Sequence, residues 1–281
     1  MRAFVVGGTG LIGSTIIRRL VEQGTSVRAT TRNPDAAPRP PNVEWLKIAA
    51  DRPEVPPRAL AHGDRVFLLA PTGWTDQFAF LAPWINAAAT AEVNQLVLMT
   101  AHEPDNDDRA PFHRAEAALR ATSIPGAILR PSWFMQNFHT YWGDEIRRAG
   151  LIAVPAGHGR VGFIDTRDIA DVAATLLLEA PRPCQTLVLT GPEALGHAEV
   201  ARLLSQATRR DVRYRCTDAP SFQRSLIDSG MSAAYADLVV AMFSTVRAGR
   251  AAAVTNAVQA VTGRPARHFA DYAGDYRDLL I

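Results

Sequence analysis

A glycine-rich segment near the start of the chain has the spacing of a loop that holds a dinucleotide. Gly8, Gly10 and Gly13 form a Gly-x-Gly-x-x-Gly pattern between an apolar run, Arg2 to Val6, and an amphipathic stretch, Leu11 to Gln23. Glycine permits a tight turn and a close approach of backbone N–H groups to a pyrophosphate, and the amino terminus of a following helix adds a partial positive charge. We therefore predict a dinucleotide site formed by Gly8, Thr9, Gly10, Leu11, Ile12 and Gly13. A turn that serves only strand–helix packing is the alternative interpretation.

The residues that end the second predicted strand indicate which dinucleotide fits. Sites for NAD usually place an acidic residue there for the ribose hydroxyls, whereas this chain has Thr31, Arg32 and Asn33. A guanidinium binds a phosphate through two parallel hydrogen bonds. The sequence therefore favours NADP(H) as cofactor, with Arg32 at the 2′-phosphate. The alternative is an ordinary solvated arginine, because all 30 Lys and Arg residues except Lys47 are arginine.

Several longer segments carry a family resemblance. The glycine loop is followed by Leu129 to Phe138 (LRPSWFMQNF), Phe163 to Ala173 (FIDTRDIADVA), and Gly191 to Ala194 with the later Glu199 to Ala201. In this order the segments resemble the NmrA-like atypical short-chain dehydrogenase/reductases over nearly the whole chain. The resemblance implies an NADP-binding Rossmann domain with a small carboxy-terminal substrate lobe. The family includes quinone and dye reductases, imine reductases of the ergot-alkaloid type, and redox-sensing regulators without activity.

The resemblance also reveals a gap in the expected catalytic residues. Short-chain dehydrogenases place a Ser or Thr after the fifth strand and a Tyr-x-x-x-Lys pair on the next helix, where the lysine lowers the pKa of the tyrosine that protonates the substrate. Thr100 matches the first position, but no tyrosine occurs in the first 140 residues and no lysine follows Lys47. By the spacing to Glu116, Arg114 takes the lysine position and Ala110 the tyrosine position. An arginine there can hold a ribose hydroxyl, but it stays protonated and does not relay protons easily.

The missing pair leaves three hypotheses for function. The first is NADPH-dependent reduction of a hydrophobic aromatic or conjugated small molecule, such as a quinone, an imine or a natural-product intermediate, that needs little acid assistance. Water or one of the candidates Thr100, His113 and Tyr141 then supplies the proton, and histidine titrates in the useful range. The second is a non-catalytic regulator that senses NADP, and the third is a non-redox cyclase or isomerase that reuses the fold. We favour the reductase.

The remaining site residues are expected at the carboxyl ends of the strands, where open α/β sheets bind their ligands. The nicotinamide is expected between Thr100 and the segment Pro131 to Phe134. The further cofactor contacts predicted are Ala70, Pro71, Thr72, Thr100, Ala101, Arg114, Pro131, Ser132, Trp133 and Phe134. The predicted substrate pocket consists of Trp74, His102, Trp133, Phe138, Tyr141 and Trp142. Packing of the two lobes against each other is the alternative interpretation of these aromatic residues.

These sites require an α/β scaffold, which the rest of the sequence predicts. Short β-branched runs alternate with amphipathic stretches, as is typical of βαβ units and a parallel sheet. We predict a doubly wound Rossmann sheet with helices on both faces, in which residues 1–150 form the NADP-binding core. Residues 151–281 complete that core with a helix at 168–179 and form the smaller substrate lobe, so the two parts are interleaved. The predicted strands are Arg2–Val6, Ser26–Thr31, Val43–Ile48, Val66–Ala70, Gln95–Thr100, Ala127–Leu129 and Thr186–Thr190.

Composition and charge exclude several other classes of protein. The chain has 281 residues, of which 47% are apolar and 21% charged, with a formal net charge of +2. These values are typical of a soluble globular protein and argue against nucleic-acid binding. Its apolar runs are far shorter than the roughly 18 to 20 residues of a membrane span, and Cys184 and Cys216 fit neither a disulfide framework nor a zinc site. We expect a cytoplasmic monomer or homodimer that binds a small-molecule hydrophobic substrate.

Two groups of acidic residues are interpreted as structural, and no metal site is predicted. The first group is an acidic run after the fifth strand, Asp105, Asp107 and Asp108, with His102 and His113 nearby. These residues do not have the spacing on a regular element that metal ligands need, so we interpret the run as a solvated loop. In the second group, Asp165 is placed to cap a helix that begins near Asp168, whose charge favours the first turn. Asp171 is interpreted in the same way.

Overall fold

Seven strands form one sheet in the order expected of a Rossmann core. The computed structural model describes residues 1–49, 54–102 and 108–281. The strands of this sheet are β1 (Arg2–Val5), β2 (Ser26–Thr31), β3 (Val43–Lys47), β4 (Arg65–Leu69), β5 (Gln95–Met99), β6 (Gly126–Pro131) and β9 (Gln185–Leu189). Their order is β3-β2-β1-β4-β5-β6-β9, and each pairing from β3 through β6 is parallel. The predicted α/β fold is confirmed.

The strand that precedes the aromatic segment is longer than the sequence suggested. We expected it to end before Arg130 because proline cannot donate to a ladder, but β6 includes Pro131. The proline carbonyl still accepts a hydrogen bond from the backbone N–H of His102 at 3.0 Å. Pro131 can therefore end the strand without breaking its pairing on the side of β5.

Four helices accompany the sheet: α1 (Leu11–Glu22), α2 (Gln77–Thr90), α3 (Pro111–Arg120) and α6 (Thr166–Leu178). Side chains of α2 and α3, such as Trp84 and Leu119, share a buried apolar cluster with Phe4 of β1, and the partly buried Leu46 of β3 packs against it. On the other face, Ile17 of α1 lies beside Trp45 of β3, the neighbour of Leu46. Because successive side chains of a strand point to opposite faces, the helices cover both sides of the sheet.

The internal contacts of the chain divide it into two compact units, residues 1–131 with 169–188, and residues 132–168 with 189–281. The sheet up to β6 lies in the first unit. The chain leaves this unit at Pro131, whereas the sequence suggested residue 150. The segment that returns to the first unit, 169–188, includes most of the helix that we predicted at 168–179.

The second unit consists of short elements around an aromatic core. Its helices are α4 (Asn137–Thr140), α5 (Gly143–Ala149), α7 (His197–Thr208), α8 (Ala219–Asp228), α9 (Ala233–Arg247), α10 (Ala257–Thr262), α11 (Phe269–Asp275) and α12 (Arg277–Leu280). Two small sheets pair β7 (Leu151–Val154) in parallel with β11 (Arg213–Cys216), and β8 (Arg160–Val161) antiparallel with β10 (Leu195–Gly196). The core includes Phe138, Phe163, Phe243, Phe269 and Tyr272, each at most 1% exposed.

The acidic residues around α6 have structural partners. The Asp165 carboxylate accepts a hydrogen bond from the backbone N–H of Arg167 at 2.8 Å, as expected of a cap, although the helix begins at Thr166. The Asp168 carboxylate accepts one from the backbone N–H of Arg267, also at 2.8 Å. Asp171 forms an ion pair with α1 at 2.7 Å.

Asp105 and Asp107 of the acidic run lie outside the described residues. Among the residues that are described, no cluster of His, Cys, Asp and Glu side chains is suited to hold a metal ion. None of the helices in the described ranges is long and apolar enough to cross a membrane.

Candidate functional site

The glycine loop is fixed by hydrogen bonds to β2. Gly7 follows β1 with a left-handed φ of 76° and donates from its N–H to the Thr30 hydroxyl at 2.9 Å. Gly8 donates to the Thr30 carbonyl, also at 2.9 Å. A Cβ on Gly8 would lie within 2.9 Å of side chains from α1, β2 and β3. The loop therefore rests directly on the sheet because residue 8 has no side chain.

The other two glycines of the motif serve different purposes. A Cβ on Gly13 would lie 2.2 Å from the carbonyl oxygen of Gly7, so Gly13 allows α1 to pack on the loop. A Cβ on Gly10 would meet only that same oxygen, at 3.2 Å, among the described atoms within 4 Å. The open space beside Gly10 is therefore available to a ligand.

The amino terminus of α1 fits the phosphates of a dinucleotide. Gly10 is its N-cap residue and provides no side-chain hydrogen bond to the first turn, which leaves first-turn N–H groups to be satisfied from outside. Thr9, Gly10 and Leu11 are exposed, whereas Gly8, Ile12 and Gly13 are buried. Buried Ile12 is suited to contribute only its backbone.

The end of β2 lies beside this loop and is followed by an exposed cation. The hydroxyls of Thr9 and Thr31 lie 3.5 Å apart, so the strand end is adjacent to the loop. Arg32 is exposed, and its side chain has no hydrogen-bond or ion-pair partner within the described ranges. Asn33 is exposed next to it, and its N–H donates to the Thr31 hydroxyl at 3.3 Å. No carboxylate occurs at positions 31–33.

The segment after β4 continues along the same edge of the sheet. Ala70 and Pro71 are half-buried, and Thr72 is exposed. Trp74 packs edge to face against Phe80 of α2, with ring centroids 5.5 Å apart. Its predicted role in a substrate pocket is therefore accompanied by a packing role in the first unit.

A buried carboxylate organises the region after β5. Glu116 of α3 is inaccessible to solvent and accepts a hydrogen bond from the Thr100 hydroxyl at 2.9 Å. Arg130 at the end of β6 binds both oxygens of Glu116, with Nε at 2.8 Å and Nη2 at 2.5 Å. Arg120 adds a third charged contact at 3.1 Å. We call Thr100, Glu116, Arg120 and Arg130 the Glu116 cluster.

The Glu116 cluster is charged at neutral pH. Burial alone would raise the pKa of Glu116, but the hydrogen bonds from Arg130 and Thr100, together with the charges of Arg130 and Arg120, outweigh burial and lower this pKa below its ordinary value. Because an ionised carboxylate accepts hydrogen bonds only, the hydroxyl hydrogen of Thr100 points toward Glu116. Thr100, which is 3% exposed, is thus a positioned side chain rather than a free proton donor.

The histidines and the arginine expected near this region are in different environments. His102 is half-buried, and burial followed by the charge of Arg130 lowers its pKa, so the imidazole is neutral at pH 7. His113 is half-buried in the first turn of α3, and Ala101 is half-buried beside His102. Arg114 is exposed and lies over the ring of Phe78, 4.0 Å from its centroid, an arrangement that suits a cation–π contact.

The segment that follows β6 lies in the second unit, and its residues range from buried to exposed. Ser132 is 5% exposed, and its buried hydroxyl has no hydrogen-bond partner among the described residues. Trp133 stacks with Trp142 at 6.4 Å and lies 4.7 Å from Phe243 of α9. Phe134 is half-buried, and its backbone forms an isolated parallel β-bridge with Ile164. Tyr141 is 54% exposed.

One residue of the predicted substrate pocket is instead part of the protein core. Phe138 is 0% exposed and contacts the rings of Phe163 and Phe269, each at 5.3 Å. The sequence placed it in the pocket by its aromatic type alone. Phe138 lies in α4 and is enclosed by the aromatic core of the second unit.

Sequence reasoning missed the Glu116 cluster as a unit. Glu116 served only as a spacing marker, and Arg130 only as the residue before a proline. A signal was present, because a buried-face glutamate on a helix requires a cation nearby, and Arg130 ends an otherwise apolar strand.

The strand order and the glycine loop define a dinucleotide-binding Rossmann protein. Residues 2–253 match the NmrA-like family, and the chain belongs to that family. The expected resemblance is confirmed.

Relatives and solved structures agree with this assignment. The chain is 35% identical over 276 residues to an NAD(P)H azoreductase of Xenophilus azovorans, covering 96% of each protein. It is 31% identical over 274 residues to an uncharacterized oxidoreductase of Bacillus subtilis, YesF, covering 96% of this chain and 93% of that protein. A triphenylmethane reductase from Citrobacter sp. has the same fold, with a TM-score of 0.84, 20% identity, and coverage of 99% of this chain and 100% of that chain.

Proposed function

We propose that this chain is an NADPH-dependent reductase of hydrophobic aromatic or conjugated small molecules, such as azo compounds and quinones. The observation that carries the proposal is the open, positively charged site formed by the glycine loop, the start of α1 and Arg32. That site fits a phosphorylated dinucleotide, and the azoreductase relative supports an aromatic acceptor.

The chain is an NAD(P)-dependent oxidoreductase, as its family and its relatives named as reductases and oxidoreductases indicate. The choice of NADP(H) rests on Arg32 and on the lack of a carboxylate at the end of β2. The substrate class rests on the relative and on the lack of the Tyr-Lys pair, which favours acceptors that need little protonation before they are reduced.

The chain's residues have distinct tasks in this proposal. The glycine loop and α1 bind the pyrophosphate through backbone N–H groups, and Arg32 binds the 2′-phosphate. NADPH held by these residues would supply the hydride, and solvent would supply the proton, for a two-electron reduction of the acceptor. Glu116 holds the Thr100 hydroxyl hydrogen, so Thr100 shapes the wall of the site without giving up its proton.

The same hydrogen bond favours a second candidate function. The hydroxyl of Thr100 is bonded to Glu116, and the Tyr-Lys pair is missing. The chain therefore has no evident proton donor at this position, which agrees with a sensor that binds NADP(H) without turnover. No observation favours a cyclase or isomerase.

Turnover separates the two candidates. Purified protein is titrated with NADPH and NADH by fluorescence, and an azo dye, a quinone and a cationic dye are then added in turn while the absorbance at 340 nm is followed. We expect tighter binding of NADPH than of NADH, and oxidation of NADPH only when an acceptor is present. Tight binding without oxidation by any acceptor would favour the sensor, and equal binding of both cofactors would contradict the assignment of NADPH.

A further inference from the structure

A short strand in the second unit, β11, has one open edge. Within the described ranges β11 pairs only with β7, in a two-stranded parallel sheet. The backbone N–H of Arg213 donates to the carbonyl of Gly150, next to β7, at 2.8 Å. Because alternate residues of a strand direct their backbone groups to opposite edges, the N–H and C=O groups of Tyr214 and Cys216 face away from β7. An edge of this kind is a template for a further strand.

A groove lies between this open edge and the flank of α7. Its volume is about 460 Å³, and its walls include Ala198 and Ala201 of α7 and Tyr214 of β11. Ser205 covers the strand edge at Val212, since its hydroxyl accepts a hydrogen bond from the N–H of Val212 at 2.9 Å and donates one to its carbonyl at 3.1 Å. The open part of the edge therefore begins beyond Val212, where the small alanine side chains leave room beside it.

Tyr214 holds the open edge in place. Its hydroxyl donates to the carbonyl of Gly157 at 3.0 Å, and its ring centroid lies 5.5 Å from that of the buried His197. The strand is thus anchored before any partner is added. A preformed edge of this kind reduces the entropy that is lost on binding.

The charge around the groove favours an acidic partner. Residues 202–215 contain five arginines and one acidic residue, Asp211. Asp211 is already bonded to Arg213, at 2.6 Å. Arg202 lines the groove and is exposed, with no ion-pair partner in the part of the chain that the structure describes. The nearest carboxylate along α7, that of Glu199, is paired with Arg160 at 2.9 Å.

The same charges disfavour a second copy of this chain as the partner. If two β11 strands paired edge to edge, Arg213 and Arg215 of one copy would lie beside the same residues of the other. Like charges on neighbouring strands destabilise their pairing, and charged side chains protect natural sheet edges from self-association in this way. An acidic segment gains from the charges that repel a second copy.

We propose that β11 binds an extended acidic segment of another protein, which joins the β7–β11 sheet as a third strand. The backbone groups of Tyr214 and Cys216 bond to the backbone of the segment, as in other cases of strand addition. Arg202 on α7 and the arginines of β11 attract its carboxylates. This surface belongs to the second unit alone, and the proposal does not depend on the reductase reaction.

Peptide binding by the full chain tests the proposal. Fluorescence anisotropy is measured with labelled peptides of about eight residues in which glutamate alternates with valine, threonine or tyrosine. We expect at least one of them to bind at least about tenfold more tightly than its counterpart with lysine in place of glutamate. Failure of all the acidic peptides to bind at millimolar concentration overturns the proposal.

Methylation of the peptide backbone separates strand addition from attraction by charge alone. Two copies of the tightest peptide are methylated at every second backbone nitrogen, one copy in each register, which removes N–H donors and keeps the charge. We expect at least one copy to bind at least about tenfold more weakly, because it loses bonds to the strand edge. Equal affinity of both copies and the parent peptide would contradict strand addition.

Hydrogen exchange locates the bound peptide. In ¹⁵N-labelled protein, we expect saturation with the acidic peptide to slow amide exchange at Tyr214 and Cys216, whose N–H groups face the open edge. Exchange at Arg213 should change little, because its N–H is already bonded to Gly150. Unchanged exchange at both Tyr214 and Cys216 would overturn the proposal.

Two variants test the edge and the charge separately. Cys216→Pro removes one outward N–H at a strand edge, where proline is tolerated, and Arg202→Glu reverses the charge of the groove. We expect each to weaken peptide binding about tenfold or more. Arg264→Glu, at an exposed arginine that does not line the groove, is the control and should bind as wild type does. A dimer of the wild type in sedimentation that Cys216→Pro dissociates would identify a second copy as the occupant and overturn the proposal.

Discussion

The two ends of the sheet's carboxyl edge differ in whether their charged side chains have partners. At the end formed by β1, β2 and β3, Arg32 and Lys47 have no ion-pair partners among the described residues, and the glycine loop leaves open space beside Gly10. At the end formed by β5 and β6, Thr100 and Arg130 both bind Glu116. The cations of the first end thus have no counter-charge among the described residues, whereas Arg130 at the second end is paired with Glu116.

This difference assigns separate tasks to the two ends. Unpaired cations and unsatisfied N–H groups are suited to bind an external ligand. A buried, fully bonded carboxylate instead fixes the geometry of its neighbours and gives up no proton readily. We therefore expect substitutions at the first end to change cofactor affinity, and substitutions at the second end to change mainly stability.

The largest effect is expected from Glu116→Gln at the second end. Neutralising this side chain leaves the Arg130 guanidinium without its counter-charge in a partly buried position, which costs about 3 kcal/mol of unfolding free energy. Chemical denaturation measures the loss, and NADPH affinity should change less than threefold. The control is Glu22→Gln, whose carboxylate is exposed on α1 and should alter stability by less than about 0.5 kcal/mol.

The pH dependence of stability tests the same carboxylate. Because the folded-state pKa of Glu116 is below its ordinary value, the unfolded chain takes up this proton at a higher pH than the folded chain does. The stabilisation from Glu116 is thus complete above pH values near the ordinary glutamate pKa of about 4.3 and is lost as the pH falls below it. Glu116→Gln should show a shallower loss of stability in acid than wild type, and parallel curves would contradict an ionised cluster.

At the first end, Gly10→Val should weaken both NADPH and NADH by at least about a hundredfold, since the side chain would occupy the path of the backbone to the pyrophosphate. The nearest described contact of the new Cβ is the Gly7 carbonyl oxygen at 3.2 Å, a tight contact with backbone, so a small fall in melting temperature is expected. Gly274→Val is the control, because a Cβ there meets nothing described within 4 Å. Unchanged cofactor affinity in Gly10→Val would show that the pyrophosphate does not bind at this loop.

A smaller and more selective effect is expected from Arg32→Asp. The carboxylate repels the 2′-phosphate and suits a ribose hydroxyl, so NADPH should bind roughly 30-fold more weakly while NADH binds as well as before or better. Fluorescence titration of both cofactors measures the ratio. Equal losses for the two cofactors would show that Arg32 does not contact the phosphate.

The first end could be proposed from the sequence because its parts are local. Gly8 to Gly13 and Arg32 lie within 25 residues, and their roles follow from backbone geometry and charge, which the motif encodes directly. The second end depends on contacts across the fold: Thr100, Glu116 and Arg130 belong to three different elements, and the strand alignment brings them together. Phe138 shows the same limit, since its aromatic type suits either a pocket or a core and only packing decides between them.

The smallest effect is expected from Thr100→Val, which also tests the comparison most sharply. Valine keeps the shape of threonine but removes the hydrogen bond to Glu116, which still receives both bonds from Arg130. The loss should cost about 1 kcal/mol of stability and should change the rate of acceptor-dependent NADPH oxidation less than about threefold. Thr122→Val, which removes a hydroxyl of the first unit that bonds only to nearby backbone, serves as the control. A fall of a hundredfold or more in the rate with NADPH affinity preserved would show that Thr100 acts on the substrate, and the second end would then be part of the reaction centre rather than a structural cluster.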